Sequence, residues 1–275
     1  MKSAGIISNS LKDKDLKVAF TAAEKLKKLG IESSISDLCE DRELPGDKDV
    51  MIVIGGDGSM LSAAKRMKGA GTPLLGINLG NVGFLTEVEL NDIDECFKKL
   101  AAGEYSISER MMLAGSCTVA GRKEEEKQAL NDIVLSRHGD LQVAGYRIYV
   151  NGSFLADYYA DGVIISTPTG STAYNMSAGG PIVSPSAKLM VMTPVCPHSL
   201  NSRSIVFSEK DELTVEILDA RGGKRSKVGV SFDGGESRIL GCGDRLMART
   251  SERVTKMIKI YDDGFLQVLN KKMSV

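Results

Sequence analysis

Residues 51–54, Met-Ile-Val-Ile, form an unbroken apolar run that stops at Gly55-Gly56-Asp57-Gly58-Ser59. Four apolar residues bounded by glycines are too few for a helix and show no polar face, so they read as a strand buried on both sides. After Ser59 the pattern turns helical, with Met60, Leu61, Ala63, Ala64 and Met67 on overlapping faces and Lys65 and Arg66 outside them. A doubly buried strand running through a glycine loop into a helix belongs to a parallel sheet with helices on its faces. The flanking sequence repeats that alternation. An apolar strand at Ala4-Gly5-Ile6-Ile7 precedes an amphipathic helix over 15–29, with Gly30 where a C-cap belongs. Strands are expected at 31–35 and 72–77, and a helix at 90–100.

The loop itself has a chemistry. Backbone N–H groups at a helix N-terminus form an anion site, and glycines let that backbone approach a ligand closely. Asp57 is the one ionisable residue in it. A carboxylate there repels a bare phosphate, so it belongs either to a cation site or to a base that takes a proton from a hydroxyl attacking the phosphate. A plain Asp-Gly turn capped by Ser59 explains one glycine before the helix but not Gly55 and Gly56 as well. The loop is not a P-loop, whose lysine is missing, and it does not fit GxGxxG. Ligands on parallel sheets bind beyond the carboxyl ends of the strands, where the loop from Asn78 to Leu85 also falls.

Past Glu109 helical periodicity ends. Short alternating segments at 112–119, 129–135, 146–150, 162–166, 212–218, 227–232 and 244–249 are separated by turns such as Asn151-Gly152, Gly222-Gly223 and Asp233-Gly234-Gly235. The expected architecture is an α/β N-terminal domain with a parallel sheet (residues 1–110), an all-β, sandwich-like C-terminal domain (111–254), and a tail (255–275) that returns to the first domain through a strand and a turn at Asp262-Asp263-Gly264. The 275 residues carry 35 basic and 36 acidic side chains, which gives no footprint for nucleic acid. No stretch approaches the length of a membrane span. Five scattered cysteines (Cys39, Cys96, Cys117, Cys196, Cys242) have no CxxC spacing and read as buried thiols of a reducing cytoplasm.

The glycine loop and its helix resemble the motif shared by NAD kinases, diacylglycerol kinases and 6-phosphofructokinases, and alone do not choose among them. Later stretches do. Asn131-Asp132 precedes a buried strand. Thr167-Pro168-Thr169-Gly170-Ser171-Thr172-Ala173-Tyr174 follows another and continues Asn175-Met176-Ser177-Ala178-Gly179-Gly180-Pro181. Each by itself is an ordinary polar turn, as is Asp233-Gly234-Gly235-Glu236. Together with the loop at 78–85 and Pro197-His198-Ser199-Leu200-Asn201-Ser202-Arg203, their order and spacing are similar to the NAD kinase family along nearly the whole chain.

That resemblance implies an enzyme that uses ATP and Mg²⁺ to phosphorylate the adenosine 2′-hydroxyl of NAD, and leaves the donor preference between ATP and inorganic polyphosphate open. It implies Asp57 as the catalytic base, with metal ligation its rival role. Gly55, Gly56 and Gly58 match the phosphate side. Phe84 and Leu85 match residues lining the adenine side, and Asn131 and Asp132 a pair that binds ribose hydroxyls. Asp161 matches an acidic residue at the nicotinamide end, acting across a subunit interface. Thr172, Ala173, Tyr174 and Ser177 match the adenine-binding segment, and Thr169, Asn175 and Asp233 are counted in the same set. Position 132 is Asp where Glu is common, and Tyr159 and Ala160 stand where many members have an arginine near Asp161. The resemblance further implies a cytoplasmic homodimer or homotetramer without nucleic-acid or membrane partners. His198 reads as a satisfied structural histidine and His138 as solvated. The competing functions are a lipid or sugar-phosphate kinase of the same group and a non-catalytic NADP(H)-binding sensor.

Overall fold

The computed structural model describes every residue except 41–43, 45, 68–70, 81–82, 140–141, 200–201, 221–222, 224, 262–264 and 274–275. The turn expected at Asp262-Asp263-Gly264 lies outside the described residues, as do Asn81, Val82, Leu200, Asn201 and Gly222. The chain divides into two compact units, Met1–Arg110 with Thr255–Val275, and Met111–Val254.

In the first unit β1 (Ser3–Ser8), β2 (Glu32–Asp37), β3 (Val50–Ile54) and β4 (Leu74–Asn78) pair in parallel in the order β4-β3-β1-β2. The strands alternate with α1 (Lys17–Lys28), α2 (Asp57–Arg66) and α3 (Ile93–Ala102). Pleating sends successive side chains to opposite faces. Ile6, Ile52, Ile54, Leu75 and Ile77 pack with Ala22 and Leu26 of α1 and Phe97 and Leu100 of α3 in one apolar cluster. The alternate residues Met51 and Val53 are just as buried. At Gly76, on that second face, an added Cβ would stand 2.9 Å from Met60 Sδ of α2. Helices therefore cover both faces, which is why β3 carries no polar residue. Each fully buried Ile or Leu contributes about 1.5–3 kcal/mol. The strand Arg245–Lys259 ends in parallel pairing with β4, Met257 opposite Leu74, and the helix Phe265–Met273 follows.

The second unit is two antiparallel sheets. One orders its strands as Ile205–Ser208, Leu189–Val195, Gly162–Ser166, Asp132–Arg137, Lys227–Phe232 and Arg238–Gly241. In the other, Ser153–Ala160, Ala144–Val150, Glu212–Leu218 and residues 245–249 pair in that order. Alternate residues of both meet in one core: Ile133, Leu135, Val163, Ile165, Val228 and Val230 from the first, Tyr146, Ile148, Val215, Ile217 and Leu246 from the second. Three spans, Gly162–Ser166, Glu212–Leu218 and Lys227–Phe232, coincide with the sequence reading. The segment read as one strand over 129–135 is instead two, Lys127–Ala129 and Asp132–Arg137, broken at Leu130-Asn131.

The cysteine reading needs correction. Cys96 and Cys117 are buried, but Cys39, Cys196 and Cys242 are exposed, and all five are free. Among the described residues no helix is long and apolar enough to cross a membrane.

Candidate active site

Two clusters of polar groups, one in each unit, contain most of the residues singled out above. In the first unit β3 ends at Ile54 and α2 begins at Asp57, with Gly56 as its N-cap. The helix starts before Ser59, and no side chain caps it, so its first N–H groups are left for an incoming anion. Gly55 is required by packing, since an added Cβ would strike the Ser59 side chain. At Gly56 and Gly58 an added Cβ would meet no protein atom within 4 Å. Their bareness leaves room beside the helix terminus.

Asp57 is half-buried, and its orientation comes from the loop after β4. Phe84 N–H donates to Oδ2 at 2.9 Å and Leu85 N–H to Oδ1 at 3.0 Å. Gly83 lies so close that a Cβ there would fall on the Asp57 carboxylate. That loop is braced from below. The buried Thr86 Oγ1 accepts Asn78 Nδ2 at 2.9 Å and Gly83 N–H at 2.9 Å, while Asn78 Oδ1 accepts Gly80 N–H at 2.7 Å. Leu85 is buried, and the half-buried Phe84 ring has Lys272 Nζ 5.8 Å from its centroid. A carboxylate offers about four lone-pair sites; the two N–H groups take one on each oxygen, leaving the others to accept a proton or ligate a cation.

In the second unit the organising group is Asp233, just past the strand Lys227–Phe232. Its carboxylate accepts the N–H groups of Leu130 (2.7 Å), Asn131 (2.7 Å) and Asp132 (3.2 Å), and its own N–H donates to Asp132 O at 3.1 Å. The turn read as a simple Asp-Gly-Gly bend thus anchors the Asn131-Asp132 corner. Asp132 is buried, and burial first, then the neighbouring Asp233 charge, lifts its carboxyl from the usual 3.8 to about 7. Asn131 Oδ1 is buried without a hydrogen-bond partner among the described residues, and so is Thr169 Oγ1. The segment after Ser166 is clamped to the same corner: Thr167 N–H donates to Asn131 O at 2.8 Å and Thr167 Oγ1 to Leu130 O at 2.6 Å. Gly170 presses on the Asn131 carbonyl so closely that no side chain fits.

The short helices Thr169–Thr172 and Tyr174–Ser177 follow. Tyr174 and Ser177 are exposed and Thr172 and Ala173 partly so. Asn175 faces inward. It is fully buried, its Nδ2 donates to Ser171 O and Pro181 O, and its Oδ1 accepts Thr193 Oγ1 at 2.7 Å. It braces the segment from beneath while its neighbours stay open.

Asp161 is not part of this cluster. In the antiparallel register Ser166 stands opposite Asp132 and Gly162 opposite Ser136, so Asp161 sits at the far end of the strand, roughly 20 Å from Thr167. There Arg137 Nε donates to Asp161 Oδ1 at 2.8 Å. Arg137 comes from the neighbouring strand, Asp132–Arg137, a pairing that no local pattern encodes. Thr86 was also missed, although it follows the loop at 78–85 directly. His138 and His198 are both exposed, so His198 is not the packed residue expected. Among the described residues no three His, Cys, Asp or Glu side chains form a metal cage.

Residues 5–105 match the ATP-NAD kinase N-terminal domain and residues 130–260 the ATP-NAD kinase C-terminal domain. The chain is 39% identical to the NAD kinase of Agathobacter rectalis, over 99% of each. It is 38% identical to that of Desulforamulus reducens, over 99% of this chain and 97% of that one. Its fold is similar to the crystal structure of yeast NADH kinase complexed with NADH (TM-score 0.89, 22% identity, 100% of this chain and 88% of that one). It is also similar to an NAD kinase from Archaeoglobus fulgidus in complex with ATP (TM-score 0.80, 24% identity, 99% of both). With a glycine loop, an amide-held aspartate and full-length relatives of this similarity, the chain belongs to the NAD kinase family.

Proposed function

We propose that this chain transfers the γ-phosphoryl group of ATP to the adenosine 2′-hydroxyl of NAD, giving ADP and NADP, with Asp57 as the base. The observation that carries the reading is the Asp57 carboxylate, fixed by two backbone N–H groups at an uncapped helix N-terminus with open space at Gly56 and Gly58. The 2′-hydroxyl gives its proton to Asp57 as its oxygen bonds to the γ-phosphorus. The bond from that phosphorus to the bridging oxygen breaks, and ADP leaves. Orientation of hydroxyl, carboxylate and phosphorus is the main contribution of the chain, as in other phosphoryl transfers. The first N–H groups of α2 and the Gly55–Gly58 loop hold the phosphates.

Asn131 and Asp132 hold ribose hydroxyls, the unpartnered Asn131 Oδ1 being a ready acceptor, and Asp233 fixes that corner. Phe84, Leu85, Thr169, Thr172, Ala173, Tyr174 and Ser177 border the adenosine, and Asn175 supports the last of these from below. Asp161, held by Arg137, serves the nicotinamide end of NAD bound to a second protomer of a homodimer or homotetramer.

A magnesium ion suits this donor set. It keeps several waters and needs one or two carboxylates besides phosphate oxygens, and Asp57 has unused lone pairs. Bound with ATP, the ion supplies charge neutralisation on the phosphoryl group, which no Arg or Lys inside the loop provides. The test is an acceptor panel with purified protein and ATP: NAD, a diacylglycerol and fructose 6-phosphate, the product located by NMR. NADP formation alone is expected. Phosphorylation of lipid or sugar phosphate, or NADP binding without turnover, overturns the reading.

A further inference from the structure

We infer that Thr86 is a positioning residue for the base, acting through the backbone of the loop that holds Asp57. The inference rests on reading Asp57 as the base and adds a residue that the phosphate-loop chemistry does not contain.

Asp57 begins α2, but nothing in α2 sets its carboxylate. Both oxygens are held by N–H groups of Phe84 and Leu85. Those two N–H groups are aimed by the residues on either side of them. At one side Gly83 lies against the carboxylate, in a space any side chain would fill. At the other side Thr86 is buried, 5% exposed, and its Oγ1 takes Gly83 N–H from three residues back. The loop therefore closes on itself around the Thr86 oxygen, with Phe84 and Leu85 inside the closure. The same oxygen accepts Asn78 Nδ2, and Asn78 is the last residue of β4. A chain of hydrogen bonds thus runs from the end of a central strand, through Thr86 Oγ1 and Gly83 N–H, to the two amides on the carboxylate. Asn78 is 5% exposed, so this bracing lies away from solvent, where unsatisfied groups are costly and the arrangement is correspondingly well defined.

Removing the Thr86 oxygen strands the Gly83 N–H and takes one partner from Asn78, and the loop relaxes to find other partners. The amides on Asp57 shift with it. The carboxylate stays ionisable, and of the residues assigned to the substrates only Phe84 and Leu85 lie on the relaxed loop, so most of the loss falls on the transition state.

The test is Thr86→Val, which keeps the shape and removes the oxygen, beside Thr86→Ser, which keeps the oxygen. Thr86→Val lowers kcat by roughly 10- to 100-fold, the range for a base displaced by an ångström or less, with KM for NAD and for ATP within about threefold. Thr86→Ser recovers most of that kcat. On an Asp57→Asn background Thr86→Val has no further effect, because residues acting as one unit are non-additive. A loss in KM alone, an equal loss of kcat on both backgrounds, or no recovery with serine overturns the inference. If Thr86→Val does not fold, Gly83→Ala probes the same geometry from the carboxylate side, since its new Cβ displaces the carboxylate. The same fall in kcat and the same non-additivity are expected, and an unchanged kcat overturns the inference. Failure of the base reading is seen separately, as wild-type kcat in Asp57→Asn alone.

Discussion

Asp57 in the first unit and Asp233 in the second are held in the same way: each carboxylate accepts backbone N–H groups from a segment remote in sequence. Their consequences differ. Asp57 receives two amides and keeps part of each oxygen free beside an open helix terminus. Asp233 receives three amides, and what it orders is the corner carrying a second acid, Asp132, buried beside it. In the first unit the braced carboxylate itself keeps free lone pairs; in the second the braced carboxylate orders the corner that buries another acid. The residue type is the same and the backbone amides are the same. What separates them is burial: Asp57 is half-buried beside an open helix terminus, and Asp132 lies in the interior.

The sharpest way to break this contrast is Asp57→Asn, which keeps the shape but cannot take a proton. Its kcat should fall by roughly 10²–10⁴ with little change in NAD affinity by calorimetry. High Mg²⁺ should not restore the rate; recovery would make Asp57 mainly a metal ligand. The next largest effect is expected in the second unit. At pH 8, where its carboxyl is ionised, Asp132→Asn should weaken NAD binding by about 1.5–3 kcal/mol, the range for hydrogen bonds to a charged group. An unchanged Kd would reduce the Asn131-Asp132 pair to a turn.

A smaller effect is titratable. Asp132 loses its proton near 7, and the ionised carboxyl accepts hydroxyls more strongly than the neutral acid, so NAD affinity should rise by up to about tenfold from pH 6 to pH 8 and stay flat in Asp132→Asn. Stability runs the other way. The folded chain holds this proton more tightly than the unfolded chain. The contribution of Asp132 is therefore intact below about pH 4 and is lost as pH rises through 7. Melting curves should show Asp132→Asn gaining on the wild type between pH 5 and pH 8. The smallest effect belongs to Tyr174→Ala, whose exposed ring should cost about 1 kcal/mol of NAD affinity with the fold intact; unchanged kinetics would remove Tyr174 from the site.

Local pattern carried much of the fold. A doubly buried strand has no polar face, so residues 51–54 announced β3, and the glycines announced the turn into α2. Alternation marked strands whose two faces differ, such as Glu212–Leu218. It missed Ser153–Ala160, an edge strand with only Ala160 fully buried, because an edge needs no apolar face. The helix Phe265–Met273 buries no residue, and its apolar positions alone did not announce it. The site was legible as motifs but not as an arrangement. That Arg137 meets Asp161, or that Asp233 grips residues 130–132, depends on strand register, which pairs residues far apart in sequence. Thr86 was hidden differently: its function is in a hydrogen bond to a loop backbone, and any hydroxyl beside a loop looks the same in sequence.

The distribution of sulfur has a practical consequence. Burial raises the thiol of Cys96 to about 12, with the Glu87 charge adding to it, and raises that of Cys117 to about 11, with Glu124 adding to it. At neutral pH neither forms the thiolate that alkylating reagents require, whereas Cys39, Cys196 and Cys242 are exposed. Cys96 lies on α3 of the first unit and Cys117 in the strand Ser106–Val119, within the second. Each unit thus contains one native, silent label. The order in which a maleimide reaches the fourth and fifth sulfurs during denaturation reports which unit opens first, with no engineered probe.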